Sequence, residues 1–220
     1  MKLIYRGAEA VLYLKKNKEK TLVKERIRKS YRIKQLDEKL RKFRTRREVR
    51  LLTKAKKIGI NVPSVLKVDE KKFKIFMEYI EGKRLKEFLN QADKSTIKKI
   101  CFEIGKAIGK MHSHNLIHGD LTTSNMILKN GKIYFIDFGL GFISSRIEDK
   151  GVDLNLLYEA LKSTHYKILN FCWDNILKGY KLEYKDAEKV IRKVEEIETV
   201  SYTHLRAHET SLHLVCRLLL

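Results

Sequence analysis

Asp120, Asn125 and Asp137 carry the side chains of this sequence best suited to chemistry, in the strings Ile117-His118-Gly119-Asp120-Leu121-Thr122-Thr123-Ser124-Asn125 and Ile136-Asp137-Phe138-Gly139. Two carboxylates and one amide, at steps of five and then twelve residues, provide hard oxygen ligands for magnesium and a loop carboxylate for a proton. Moving a γ-phosphoryl group asks little covalent help of a protein, because the work is alignment of the nucleophile and neutralisation of charge on phosphate oxygens. In that chemistry Asp120 orients the attacking hydroxyl or water, while Asn125 and Asp137 hold the metal. Magnesium keeps several waters, so two protein ligands suffice.

The flanking residues must position these groups. Met126-Ile127-Leu128-Lys129 and Lys132-Ile133-Tyr134-Phe135-Ile136 are apolar runs joined by Asn130-Gly131, a strong hairpin signal. Such a hairpin brings Asn125, just before its first strand, beside Asp137, just after its second. The order H-x-D-x-x-x-x-N followed by D-F-G resembles the protein-kinase-like superfamily. That resemblance implies an α+β, two-lobed protein-kinase-like fold: a small N-terminal antiparallel sheet lobe that binds nucleotide (residues 1–80) and a reduced helical C-terminal catalytic lobe (residues 81–198).

Upstream, Leu3, Tyr5, Ala10, Leu12 and Leu14 alternate as two strands joined at Arg6-Gly7-Ala8-Glu9. In a kinase this turn covers the phosphates, which makes Arg6, Gly7, Ala8, Glu9 and Ala10 nucleotide-binding candidates, with one glycine where the common pattern has three. Lys24 sits at the centre of the strand Thr21–Ile27, where the resemblance implies contact with phosphates and a pair with a helix glutamate. Residues 36–57 read as a long basic helix, with Leu36, Leu40, Phe43, Leu51, Leu52 and Ala55 for its apolar side. Glu48 is the only acid from Lys39 to Ile58 and the candidate partner of Lys24; an intrahelical pair with Arg44 is the alternative. Lys24 and Glu48 thus join Asp120 as catalytic candidates. After Pro63, a second hairpin (65–68 and 73–80) ends in Met77-Glu78-Tyr79-Ile80. In the kinase fold the backbone of Glu78 and Ile80 would read the adenine, with Met77 either at the pocket's edge or in the core.

Beyond this point helices dominate. Asp93 or Ser95 caps one that carries Ile97, Ile100, Cys101, Ile104, Ile108 and Met111. His112 and His114 lack a ligand set for metal, and His118 is expected to brace the catalytic loop. A helix is expected from Asp153, with Leu154, Leu157 and Leu161, and others at about 165–178 and 184–198. No A-P-E string follows Gly139, so little remains to form a peptide-substrate platform.

The formal net charge is +21 over 220 residues, and residues 15–58 hold 20 Lys/Arg against 5 Asp/Glu. A basic stripe on the helix at 36–57 reads as an electrostatic footprint for nucleic acid, with a solvated helix face as the alternative. The hydrophobic fraction of 43% suits a globular protein, and no apolar run spans a bilayer. The beginning lacks signal-peptide anatomy. Three widely spaced cysteines, Cys101, Cys172 and Cys216, read as buried thiols of a reducing compartment, so a cytoplasmic location is expected.

Gly7-Ala8-Glu9-Ala10, Arg44-Thr45-Arg46-Arg47-Glu48, His118-Gly119-Asp120-Leu121-Thr122-Thr123-Ser124-Asn125 and Asp137-Phe138-Gly139 together resemble the PRPK family, the small atypical Ser/Thr kinases of the KEOPS (EKC) complex. The resemblance spans about residues 1–198. It implies a protein with the fold of a Ser/Thr kinase that works chiefly as an ATPase, uses ATP and Mg2+, and supports threonylcarbamoyladenosine synthesis on tRNA. Its implied partners are the threonylcarbamoyl-transferase subunit and the other KEOPS subunits, with tRNA on the basic helix 36–57 and no membrane. A small-molecule phosphotransferase and a non-catalytic nucleotide-binding tRNA scaffold are the alternatives. Residues 199–220 depart from the family pattern, with no Lys and three of the seven His, and read as a non-native tail.

Overall fold

The computed structural model describes residues 1–16 and 20–199; the expected tail and Cys216 lie outside the described residues. Strands β1 (Lys2–Arg6), β2 (Ala10–Lys16), β3 (Lys20–Arg26), β4 (Val65–Asp69) and β5 (Lys74–Glu78) form one antiparallel sheet in the order β1-β2-β3-β5-β4. Helix α1 (Lys34–Lys57) joins β3 to β4. The two-residue side-chain period of a strand puts Lys24 and Arg26 on one face of β3, and both are buried.

Helix α1 hides Asp37, Thr45, Glu48, Leu51, Leu52 and Ala55. Its second half buries the expected apolar residues, whereas Leu36 (50% exposed) and Phe43 (58%) face outward. The difference has a physical cause. The first half of α1 lies over the charged end of β3, so the positions turned inward there are polar. Asp37 accepts from the Lys29 amide at 3.2 Å and from Arg41 Nε at 2.7 Å.

The remaining strands are β6 (Lys83–Arg84), β7 (Leu116–Ile117), β8 (Met126–Lys129), β9 (Lys132–Phe135) and β10 (Phe142–Ile143). They make a three-stranded sheet β6-β8-β9 and a ribbon β10-β7. Between β8 and β9, Asn130 (φ 50°) and Gly131 (φ 72°) are both left-handed, as a two-residue hairpin turn with the strand twist requires.

The helices are α2 (Leu85–Phe88), α3 (Lys94–Ser113), α4 (Ile147–Thr164), α5 (Leu169–Glu183) and α6 (residues 187–199). Asp93 caps α3 by accepting from the Thr96 amide at 3.0 Å. Helices α3 and α5 pack backbone to backbone: a Cβ at Gly105 would overlap the Ile176 carbonyl oxygen, and one at Gly179 that of Phe102. Helix α4 begins at Ile147, six residues before the Asp153 expected from apolar spacing. Its first two turns contain Glu148, Asp149, Lys150 and Gly151, a run without apolar periodicity that tertiary contacts recruit. Lys150, 3% exposed, donates to Asn115 Oδ1 and Tyr184 Oη, each at 3.0 Å. One hydrophobic core runs from Leu51, Ile75 and Met77 through Met111, Phe135 and Phe138 to Leu154, Ile176 and Val190. Each such aliphatic side chain contributes about 2 kcal/mol of burial. Among the described residues no helix is long and apolar enough to cross a membrane.

Candidate active site

Gly119 turns the chain into the loop that carries Asp120 and Asn125 at φ 79°, where a Cβ would lie 2.6 Å from the Leu140 carbonyl oxygen. Asn125 Nδ2 donates to the Asp120 carbonyl at 3.0 Å and to Asp120 Oδ2 at 2.8 Å. These bonds fix the amide, leaving Asn125 Oδ1 without a partner among the described residues. The Ile136 amide donates to the Asn125 carbonyl at 2.9 Å, which sets Asp137 beside it. Asp137 is left-handed at φ 62°, an uncommon backbone for a residue other than glycine. Its Oδ1 accepts from Lys24 Nζ at 2.6 Å and from the Gly139 amide at 3.1 Å, and Oδ2 has no partner among the described residues. Two open oxygens, one amide and one carboxylate, fit a magnesium ion that retains water.

Lys24 also donates to Glu48 Oε1 at 2.7 Å, so Glu48 pairs across from α1 and not along it. Arg26, which sequence reasoning passed over, holds the other oxygen, Oε2, at 2.5 Å. Its position two residues beyond Lys24 was the available signal. Burial acts to lower the pKa of Lys24, but Glu48 and Asp137 outweigh it and raise the value, so the ammonium stays charged. For Asp137 burial acts upward, yet the Lys24 ammonium and the Gly139 amide hold the carboxyl below its ordinary range. Arg44, the alternative partner for Glu48, bonds Glu9 instead. Lys29 donates to the Ala8 carbonyl, Gly7 N–H donates to the Ala10 carbonyl at 3.0 Å, and the Arg44–Glu9 pair ties the β1–β2 turn to α1. The Glu9 carboxylate faces arginines, and Arg6 is exposed. Arg47 reaches from α1 to the Gly139 carbonyl at 2.7 Å.

His118 is the brace expected of it. Its Nε2 donates to the Ile136 carbonyl at 3.1 Å and its Nδ1 accepts from the Asp120 amide at 3.3 Å, one tautomer serving both. Burial lowers its pKa against the pull of Asp153, Asp120 and Asp137, which keeps the ring neutral. Asp153 was missed as a site residue. Its two oxygens accept from the His118 amide (2.9 Å) and the Gly119 amide (2.7 Å), while His112 Nε2 lies 3.2 Å away. A carboxylate adjoining Leu154 on the buried side of a helix was the signal. At the end of β5, Glu78 N–H donates to Ser64 O at 2.9 Å and Tyr79 N–H to Lys20 O at 3.2 Å. Ile80 N–H, in a residue 6% exposed, has no partner among the described residues and suits a base-reading donor. Met77 lies in the core.

The sequence pattern that defines the RIO domain matches residues 5–141. The chain belongs to the RIO-domain family. This RIO-domain protein is 52% identical over 207 residues to the KEOPS complex subunit Bud32 of Pyrococcus abyssi, with 90% of this chain and 94% of that protein covered. It is 44% identical to a probable bifunctional tRNA threonylcarbamoyladenosine biosynthesis protein of Methanobrevibacter smithii and 40% identical to one of Methanosarcina mazei. The chain spans 37% and 34% of the length of those two relatives. Its fold is shared with WaaP, solved in complex with acyl carrier protein, at a TM-score of 0.65, 12% identity, and 94% and 88% coverage of the two chains. The expected resemblance to the small KEOPS kinases and the two-lobed α+β fold are both borne out.

Proposed function

We propose that this RIO-domain chain is a magnesium-dependent ATPase of atypical Ser/Thr kinase type that works as a KEOPS subunit in the cytoplasm, supporting threonylcarbamoyladenosine modification of tRNA. The observation that carries the proposal is the continuous chain Arg26–Glu48–Lys24–Asp137, standing beside Asp120–Asn125. Lys24, held by Glu48, binds the α/β phosphates. Asn125 Oδ1 and Asp137 hold Mg2+, which supplies neutralisation of charge on the phosphate oxygens. Asp120, oriented by the Asn125 amide, takes or aligns the proton of the attacking water or hydroxyl. The Ala8 and Glu9 amides of the turn face phosphate, while the Gly7 amide closes the turn on the Ala10 carbonyl, and the backbone of Glu78 and Ile80 reads adenine. The names of the relatives support the KEOPS and tRNA assignment, with the threonylcarbamoyl-transferase subunit as principal partner and tRNA on the outward basic stripe of α1.

Magnesium-dependent ATP turnover by the wild type and Asp120→Ala, with tRNA and the transferase subunit added separately, tests the proposal. Turnover falls at least about 100-fold in Asp120→Ala while tRNA binding is retained. Equal turnover in the two proteins overturns the assignment.

A further inference from the structure

Helix α4 grips the catalytic loop at a second point. His165, the C-cap of α4, is 1% exposed and Thr123, between Asp120 and Asn125, is 2% exposed. His165 Nε2 lies 3.0 Å from Thr123 Oγ1, and His165 Nδ1 lies 2.7 Å from Asn90 Oδ1. The tautomer follows from Asn90. Its Nδ2 donates to the Thr164 carbonyl at 3.2 Å, so its oxygen is the atom facing the ring, and an oxygen there requires Nδ1–H. Nε2 is then a bare acceptor, and the Thr123 hydroxyl must donate to it. Burial, with Lys86 adding to it, lowers the pKa of His165 and favours the neutral ring that this arrangement needs.

Resting on the ATP chemistry proposed above, we infer that His165 is a positioning residue for that reaction: as the Nδ1–H tautomer it fixes the Thr123 hydroxyl, and through Thr123 the turn that aims Asn125. The connectivity carries this step. Thr123, Ser124 and Asn125 form a single 3₁₀ turn, and the Thr123 side chain is its buried anchor. Asp153 holds the amides of residues 118 and 119 upstream of Asp120, and His165 holds residue 123 downstream. Both grips belong to one helix and its cap, so the loop cannot rotate about either end while both persist. With the Thr123 tie cut, Asn125 keeps its bonds to Asp120, but the pair can shift together relative to Asp137. A displacement near 1 Å at such a site costs on the order of 100-fold in rate.

Four single variants and one double variant test this. Thr123→Val keeps shape and removes the donor, and Thr123→Ser restores it. His165→Asn keeps the Nδ1 partner position and loses the acceptor at Nε2, and His165→Gln places an amide oxygen near the Nε2 position. Expected for Thr123→Val are a kcat about 10–100-fold lower and a Mg2+ half-saturation about tenfold higher, with the KM for ATP within about twofold. Thr123→Ser and His165→Gln recover most of both. Thr123→Val/His165→Asn is no slower than the worse single variant, since both cut one link. Imidazole 15N spectra of the ATP-free protein read the tautomer independently of turnover: a protonated Nδ1 and a bare Nε2 are expected. An Nε2–H tautomer overturns the inference, as does a Thr123→Val protein with wild-type kcat and Mg2+ dependence, or a Thr123→Ser protein as impaired as Thr123→Val. If the wild type turns over no ATP, the proposed function fails, while the spectra still decide whether His165 accepts from Thr123. If His165→Asn does not fold, the near-isosteric Thr123 pair decides the outcome.

Discussion

Lys24 Nζ lies 2.6 Å from Asp137 Oδ1, an ion pair spanning 113 residues of sequence between strand β3 and the segment after β9. The same ammonium is 2.7 Å from Glu48 Oε1, so one cation neutralises an acid of α1 and a candidate metal ligand together.

Lys24→Met removes that cation while nearly keeping the volume of the stem. Glu48, 1% exposed, then retains Arg26 alone among the described residues. Urea denaturation should show a loss of about 1–3 kcal/mol, less than for a buried acid left with no partner. ATP turnover should fall at least about 100-fold, and a variant with wild-type turnover would contradict the assigned role.

Acid should weaken the fold through His118. Burial holds its pKa below the ordinary value of 6.5 despite the neighbouring acids. The unfolded chain therefore takes up the proton first. The stabilisation is complete above about pH 6.5 and is lost as pH falls through the lower folded-state value, and His165 acts in the same direction. Unfolding free energies at pH 7.5, 6 and 5 should decline in that order, by at most about 1.4 kcal/mol per pH unit for each histidine. His118→Asn should flatten the decline.

Gly105→Ala and Gly131→Ala should differ in mechanism. At Gly105 a Cβ meets backbone of α5, and the overlap outweighs the helix-propensity gain of about 1 kcal/mol, for a net loss of about 2–3 kcal/mol. At Gly131 a Cβ meets nothing within 4 Å, and only the left-handed φ of 72° costs, about 1 kcal/mol. Thermal melts of both variants check the order.

The basic residues of α1 divide by direction. Arg41, Arg44 and Arg47 reach Asp37, Glu9 and the Gly139 carbonyl. Lys39, Lys42, Arg46 and Arg50 are exposed at steps of three and four and form one outward stripe. Replacing Lys39, Lys42 and Arg50 with alanine should weaken tRNA binding and reduce the slope of log K against log salt by about 2–3. An unchanged slope would remove α1 from the tRNA surface.

What could be read in the sequence follows from how each feature is encoded. The hairpin around Asn130-Gly131, the α3 periodicity and the loop strings are local, and each appears where the residue pattern puts it. The pairing of Lys24 with Glu48 was legible because one acid stood alone among many bases. The grips of Asp153 and His165 on the loop were not, because a polar contact across 35 or 42 residues leaves no period behind. The outward turn of Leu36 and Phe43 was hidden for the converse reason: apolar spacing suggested a buried stripe where the neighbouring strand offered charges.

Among the described residues, the polar ties of the segment Asp137–Gly139 to β3 and α1 come from two side chains of different character, the Lys24 ammonium on a carboxylate and the Arg47 guanidinium on a peptide oxygen. One is an attachment between opposite charges that a cation competing for the Asp137 carboxylate can dissolve, and the other, made to a peptide oxygen, is not. A cation arriving at Asp137 should therefore exchange one tether and leave the other in place.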